Sequence, residues 1–199
     1  MVILALIALV SGIAVGLGGT EIALVRWLEE SSGLVLLLLM FLVGISVGLQ
    51  EGLIEKIKEY HLKVFLIPIG IVFGTVAGGI VCSYLTEYTM AESTAVVSGL
   101  GWYSLAGVAV GNLAGVQLGS IAFLSNLMRE IFSFFTIPLL AKRLNFCSCI
   151  ASAAATSEDT TLPMMIKYTD EETVVLSVLN GMICSACVPV LISLCYRLF

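Results

Sequence analysis

Four polar side chains sit in a stretch that is otherwise fit to dissolve in lipid. In residues 119–141, GSIAFLSNLMREIFSFFTIPLLA, Asn126, Arg129, Glu130 and Ser133 fall at i, i+3, i+4 and i+7. On a helix that spacing lines one face with polar groups and leaves Leu, Ile and Phe on the others. An ionisable side chain at mid-membrane costs about 3 kcal/mol on insertion scales, so two neighbours require a compensating environment. Arg129 and Glu130 are adjacent and point about 100° apart, so each needs a partner elsewhere. A structural ion pair and a place on a transport pathway are both open readings.

A second polar group lies in residues 151–168, ASAAATSEDTTLPMMIKY, where Ser157, Glu158, Asp159, Thr160 and Thr161 precede Pro163. Serine, aspartate and threonine ahead of a proline signal a helix N-terminus. The expectation is two short half-helices with a break near 157–161; an ordinary loop with a capped helix is the plainer alternative. Residues 98–119, SGLGWYSLAGVAVGNLAGVQLG, are glycine-rich and carry Ser98, Trp102, Tyr103, Ser104 and Asn112, which predicts a poor continuous helix. The last apolar stretch, 173–196, places Ser177, Asn180, Gly181, Cys184 and Ser185 on or near one face. Brought to one depth, the carboxylates of Glu130, Glu158 and Asp159 would suit an ammonium group, and Arg129 or an open helix N-terminus would suit a carboxylate. The same groups would suit a bare proton or a sodium ion, and chemistry alone does not choose between these cargoes.

These residues belong to a chain of 199 residues that is 59% hydrophobic and 12% charged, with mean hydropathy +1.10. Such a composition predicts an integral membrane protein. The apolar stretches are helix-length and do not alternate, so an all-α polytopic protein in the lipid bilayer is expected rather than a barrel. Net charge is −5 with scattered basic residues, so nucleic acid is not an expected partner. The start of the chain lacks a basic n-region, and residues 2–18 read as a retained span rather than a signal peptide.

About five full spans are expected, over 2–18, 34–49, 64–85, 119–141 and 173–196, with two re-entrant or broken helical segments near 98–118 and 151–168. Together they form a single transport domain over residues 1–199, in which 1–63 supply two spans and a connector and 64–199 the core. Residues 86–93 read as a loop. Glycines four apart, at Gly12 and Gly16, Gly44 and Gly48, and Gly70, Gly74 and Gly78, predict close helix packing. Lys56, Lys58 and Lys63, with Lys142 and Arg143, set the N-terminus inside and the C-terminus outside. A crossing segment over 95–118 would put Lys142 and Arg143 on the wrong side, and a segment that dips in and returns removes the conflict. Each broken segment following its span then makes one unit of an inverted repeat, a recurring plan among secondary transporters.

The six cysteines read as small hydrophobes or reduced thiols, and the lone His61 as a surface residue of a connector. With no serine–histidine pair or metal-ligand constellation in the spans, no enzyme and no cofactor are expected; a coupling proton or sodium ion is.

Three stretches resemble the signatures of the LysO lysine-exporter family: GLGWYSLAGV (99–108), LGSIAFLSNLMREI (118–131) with IPLLAK (137–142), and TSEDTTLP (156–163). They are in order and correctly spaced, whereas the first 90 residues resemble the family only in hydropathy. The resemblance implies export of lysine, and of related cationic amino acids, across the bacterial cytoplasmic (inner) membrane. It also implies two required intramembrane acidic residues, which fall by motif position on Glu130 and Asp159. Family members are usually longer at the N-terminus, which suggests a small membrane subunit that supplies further spans, or a homodimer. Glu158 stands where the resemblance implies an apolar residue. A cation/proton antiporter or channel using the same carboxylates is the alternative function.

Overall fold

The computed structural model describes residues 63–199 together with isolated positions among the first 62. The spans expected at 2–18 and 34–49 and the connector with His61 lie outside the described residues. Those described after residue 62 form helices joined by short turns, with no strand among them. Helix α1 (Lys63–Leu85) is followed by two short helices, α2 (Met90–Val97) and α3 (Tyr103–Ala114), and by the long α4 (Val116–Arg143). Two more short helices follow, α5 (Phe146–Ala153) and α6 (Leu162–Tyr168), separated by a 3-10 turn over Ala154–Glu158, before the long α7 (Glu171–Leu198). Three helices, Val64–Leu85, Val116–Arg143 and Glu171–Leu198, are long and apolar enough to cross a membrane. Their outer faces leave Phe73, Phe135 and Val190 exposed, an arrangement stable only against lipid or a further apolar partner.

The local sequence explains each boundary. Residues 86–93 were expected to be a loop, yet helix α2 starts at Met90 because Thr89 and Glu92 close a capping box. The Thr89 hydroxyl accepts from Glu92 N at 3.3 Å while Thr89 N donates to Glu92 Oε2 at 2.8 Å, satisfying two orphan donors of the first turn. The glycine-rich stretch is also more helical than expected. Its break is confined to 98–102, where Leu100 (φ 51°) and Gly101 (φ 96°) turn left-handed, and α3 continues from Tyr103. Gly115, at φ 93°, makes the tight turn into α4, so the central helix begins at Val116 rather than 119. Asn145 caps α5 through Ser148 N at 2.8 Å, Pro163 sits in the first turn of α6, and Asp170 caps α7 through Thr173 N at 2.8 Å.

Among the described residues the close packing of α1 is made outside its glycine stripe, and the spans expected at 2–18 and 34–49 lie outside the described residues. A Cβ on Gly70, Gly74 or Gly78 would meet nothing within 4 Å among the described residues. Gly79 makes the approach instead, since its Cβ would fall 2.7 Å from Val97 Cγ2 and 3.0 Å from Thr94 Cα. The α3–α4 hairpin is tighter: a Cβ on Gly119 would stand 2.7 Å from both Gly107 O and Gly111 Cα. Backbone cannot yield as a side-chain tip can, so Gly119→Ala is expected to cost about 1–3 kcal/mol. Thermal unfolding of the purified protein in detergent checks this, and an unchanged midpoint contradicts it.

The main core forms where the two breaks meet between α4 and α7, around Leu100, Leu105, Ala122, Ala154, Cys184 and Val188. The breaks touch directly. Ala155 N donates to Leu100 O at 3.1 Å, and a Cβ on Gly101 would lie 3.3 Å from Thr156 Cγ2.

Candidate acidic site at the helix breaks

The two charged neighbours of α4 face different surroundings, as their 100° separation requires. Glu130 is only 1% exposed, and neither carboxyl oxygen has a hydrogen-bond partner among the described residues. Beside it is Thr160, whose buried hydroxyl also lacks a partner among the described residues. Asp159 and the Tyr103 hydroxyl lie within electrostatic reach of the same carboxyl. Asp159 is exposed at the rim and accepts a short bond from Thr160 N. The second break therefore brings together two carboxyl groups, one buried and one open, with two hydroxyls. Two neighbouring carboxylates, one of them buried, attract a cation, and a buried carboxyl without donors is costly until one arrives.

Arg129 lies apart from this cluster. Its Nη1 donates to Thr75 Oγ1 at 3.2 Å on α1 and its Nη2 to Ala151 O at 3.3 Å near the end of α5. Both of these acceptors are neutral. Glu130 and Glu158 each lie within electrostatic reach of Asp159, whereas Arg129 bonds elsewhere and makes no ion pair with Glu130. The first break runs beside it: a Cβ on Gly101 would come within 3.9 Å of Arg129 Cδ.

Five of the polar residues singled out in the sequence hold the breaks in shape. Asn126 receives Gly101 N at 2.9 Å and donates to Val96 O and Ala122 O at 2.9 and 2.8 Å. Asn180 donates to Ala154 O at 3.0 Å and Ser157 Oγ at 3.1 Å. Ser157 Oγ lies 2.7 Å from Ser177 O, and Ser177 Oγ donates back to Ser157 O at 2.6 Å. Thr161 Oγ1 donates to Thr156 O at 2.9 Å. These groups satisfy backbone that a helix would have satisfied.

The two breaks are built alike. Each has a non-glycine residue in the left-handed region, Leu100 at φ 51° and Ala154 at φ 53°. Asn180 lies 26 residues after Ala154, the separation that also divides Leu100 from Asn126, and each asparagine sits on the long helix that follows its break. Removing either amide leaves buried backbone groups unpaired at about 1–3 kcal/mol each. Asn126→Ala and Asn180→Ala are each expected to lower the thermal midpoint strongly. Equal midpoints for both variants and the parent protein would contradict the clamp role.

The remaining candidates divide. Glu158 turns toward α7, where Ser185 Oγ donates to its Oε1 at 2.8 Å. Trp102 packs against the main core, and Tyr103 meets Phe123 edge-on at 5.2 Å between centroids. Ser104 is exposed, as is Asn112 near the far end of α3, about 13 Å along the helix from Tyr103. Thr75 gave no signal in the sequence, being a lone hydroxyl in an apolar stretch, and only its Arg129 contact reveals a role.

Long apolar helices enclosing paired helix breaks with acidic groups beside them define a polytopic all-α membrane protein. The chain belongs to the lysine exporter LysO family, whose model matches residues 6–196. That match extends the likeness well beyond the three signature stretches into the first 90 residues. The chain is similar to Lysine exporter LysO of Escherichia coli (strain K12), 32% identical over 184 residues, which cover 92% of this chain and 60% of that protein. It is also similar to a Haemophilus influenzae (strain ATCC 51907 / DSM 11121 / KW20 / Rd) protein named "Putative lysine exporter", 33% identical over 171 residues, or 83% of this chain and 86% of that one. The chain thus spans less than two thirds of the length of the Escherichia coli relative. No solved structure matches it.

Proposed function

We propose that this chain is a secondary exporter that moves L-lysine, or a closely related cationic amino acid, out across the bacterial inner membrane. Its coupling ion, a proton or sodium, passes through Glu130 and Asp159. The observation that carries this reading is the Glu130 carboxyl, buried with both oxygens unpartnered among the described residues beside Asp159, Thr160 and Tyr103. Membership of the lysine exporter family supports the direction and the cargo. Exporting a cation works against a negative-inside potential at about 2.3 kcal/mol per charge per 100 mV, so an inward ion must supply the difference. The acidic pair provides the exchange: an entering ion neutralises the carboxylates and the cargo ammonium leaves, and departure of the ion restores the charge that draws the next ammonium.

Counterflow tests this. Proteoliposomes loaded with unlabelled L-lysine should accumulate labelled L-lysine, and an imposed proton or sodium gradient should accelerate the flux. A pH or sodium flux without exchange of labelled lysine would show an ion-only antiporter or channel and refute the amino-acid cargo.

A further inference from the structure

Beside Arg129 lies a cavity of about 600 Å³ whose lining includes none of Glu130, Glu158 and Asp159. It runs from Leu66 in α1 and Asn145, Cys147 and Ser148 at the start of α5 to Thr75 and Arg129. Its mouth is therefore near the end of α4 that carries Lys142 and Arg143. Arg129 is near the midpoint of that helix, about 20 Å further in. Its guanidinium has five N–H donors, and the two nitrogens that are engaged meet neutral acceptors, Thr75 Oγ1 and Ala151 O. Along the cavity wall the α1 glycines Gly70 and Gly74 contribute no side chain.

A guanidinium held by neutral acceptors at mid-membrane is costly and calls for an anion. Its planar fork matches a carboxylate. A phospholipid head group does not fit the depth, because phosphates lie at the interface, about 15 Å from the bilayer centre, whereas Arg129 and its partner Thr75 are both mid-helix.

We propose that this cavity is an entry vestibule in which Arg129 receives the α-carboxylate of the amino-acid cargo. The proposal rests on the exporter reading. Arg129 borders the first break at Gly101 and Asp159 belongs to the second, which touches the first through Ala155 N and Leu100 O, so the cargo docks by its carboxylate at Arg129 and by its ammonium at the carboxylates beyond the crossing. Passage then requires only a barrier made by two short breaks to part.

Cys147 is native, exposed and lines the mouth, so its alkylation reports occupancy directly. The full chain in phosphatidylcholine nanodiscs is treated with N-ethylmaleimide, and Cys147 modification is read by peptide mass spectrometry. L-Lysine is expected to slow the reaction, while 1,5-diaminopentane, which lacks only the carboxylate, does not. Arg129→Gln should raise the lysine concentration needed for protection about tenfold or more, and Arg129→Lys, which keeps the charge and guards against a folding defect, should retain part of it. The proposal is overturned if lysine gives no protection, if the diamine protects equally, or if protection persists in Arg129→Gln. The exporter reading is judged separately, because absent counterflow with intact Cys147 protection would sink that reading and leave the carboxylate site standing.

Discussion

Glu130→Gln is expected to lower lysine efflux by about 100-fold or more while leaving the protein folded and inserted. The amide has the same shape but can neither take up an ion nor hold an ammonium by charge. Truncating one side of a buried charged interaction costs about 2–5 kcal/mol, and 1.4 kcal/mol is a factor of ten. Stability should move the opposite way. Neither oxygen of Glu130 has a partner among the described residues, so a neutral amide removes a desolvation cost and can donate to the unpartnered Thr160 hydroxyl. A higher thermal midpoint with abolished efflux is the signature of a group kept for function at the expense of stability. Asp159→Asn should also stop efflux but leave the midpoint nearly unchanged, because that side chain is exposed. Wild-type rates in both variants would remove the acidic pair from the mechanism.

Gly181→Ala is expected to be the most damaging single methyl addition in the described fold. Its Cβ would stand 2.5 Å from Glu158 Cβ and 2.6 Å from Glu158 N, so α7 must move off the 3-10 turn. That movement would break the reciprocal Ser157–Ser177 bonds at 2.7 and 2.6 Å and the Ser185–Glu158 bond at 2.8 Å. Overpacking with lost buried hydrogen bonds amounts to about 3 kcal/mol or more, to be read as reduced membrane yield and a lowered thermal midpoint. Gly78→Ala is the control: its Cβ meets nothing within 4 Å among the described residues, and its effect should stay within about 0.5 kcal/mol. If the two variants behave alike, the contact at Gly181 does not govern this part of the fold.

Much of the site was legible because burying polarity in lipid is costly enough to leave a mark on composition. Glu130, Asp159 and the run around Ser157 could be singled out from the cost of placing them in apolar stretches. The break before Pro163 was legible from its cap signal. The first break was placed too broadly, since glycine content reports conformational permission over a whole stretch, while the left-handed turn needs only Leu100 and Gly101. On α1 the contact made among the described residues falls outside the glycine stripe. Gly70, Gly74 and Gly78 permit close approach, but Gly79 is the residue that meets α2.

From its residues alone, the chain is set as an all-helical membrane protein with carboxylates at a helix break, because hydropathy and its interruptions are local properties of the sequence. The division of labour among those polar residues was decided only in three dimensions. Asn126 and Asn180 became clamps, Glu158 turned to Ser185, and Arg129 separated from Glu130. Each outcome depends on which backbone groups two distant breaks leave unpaired when they cross, and that is set by contacts between residues far apart along the chain.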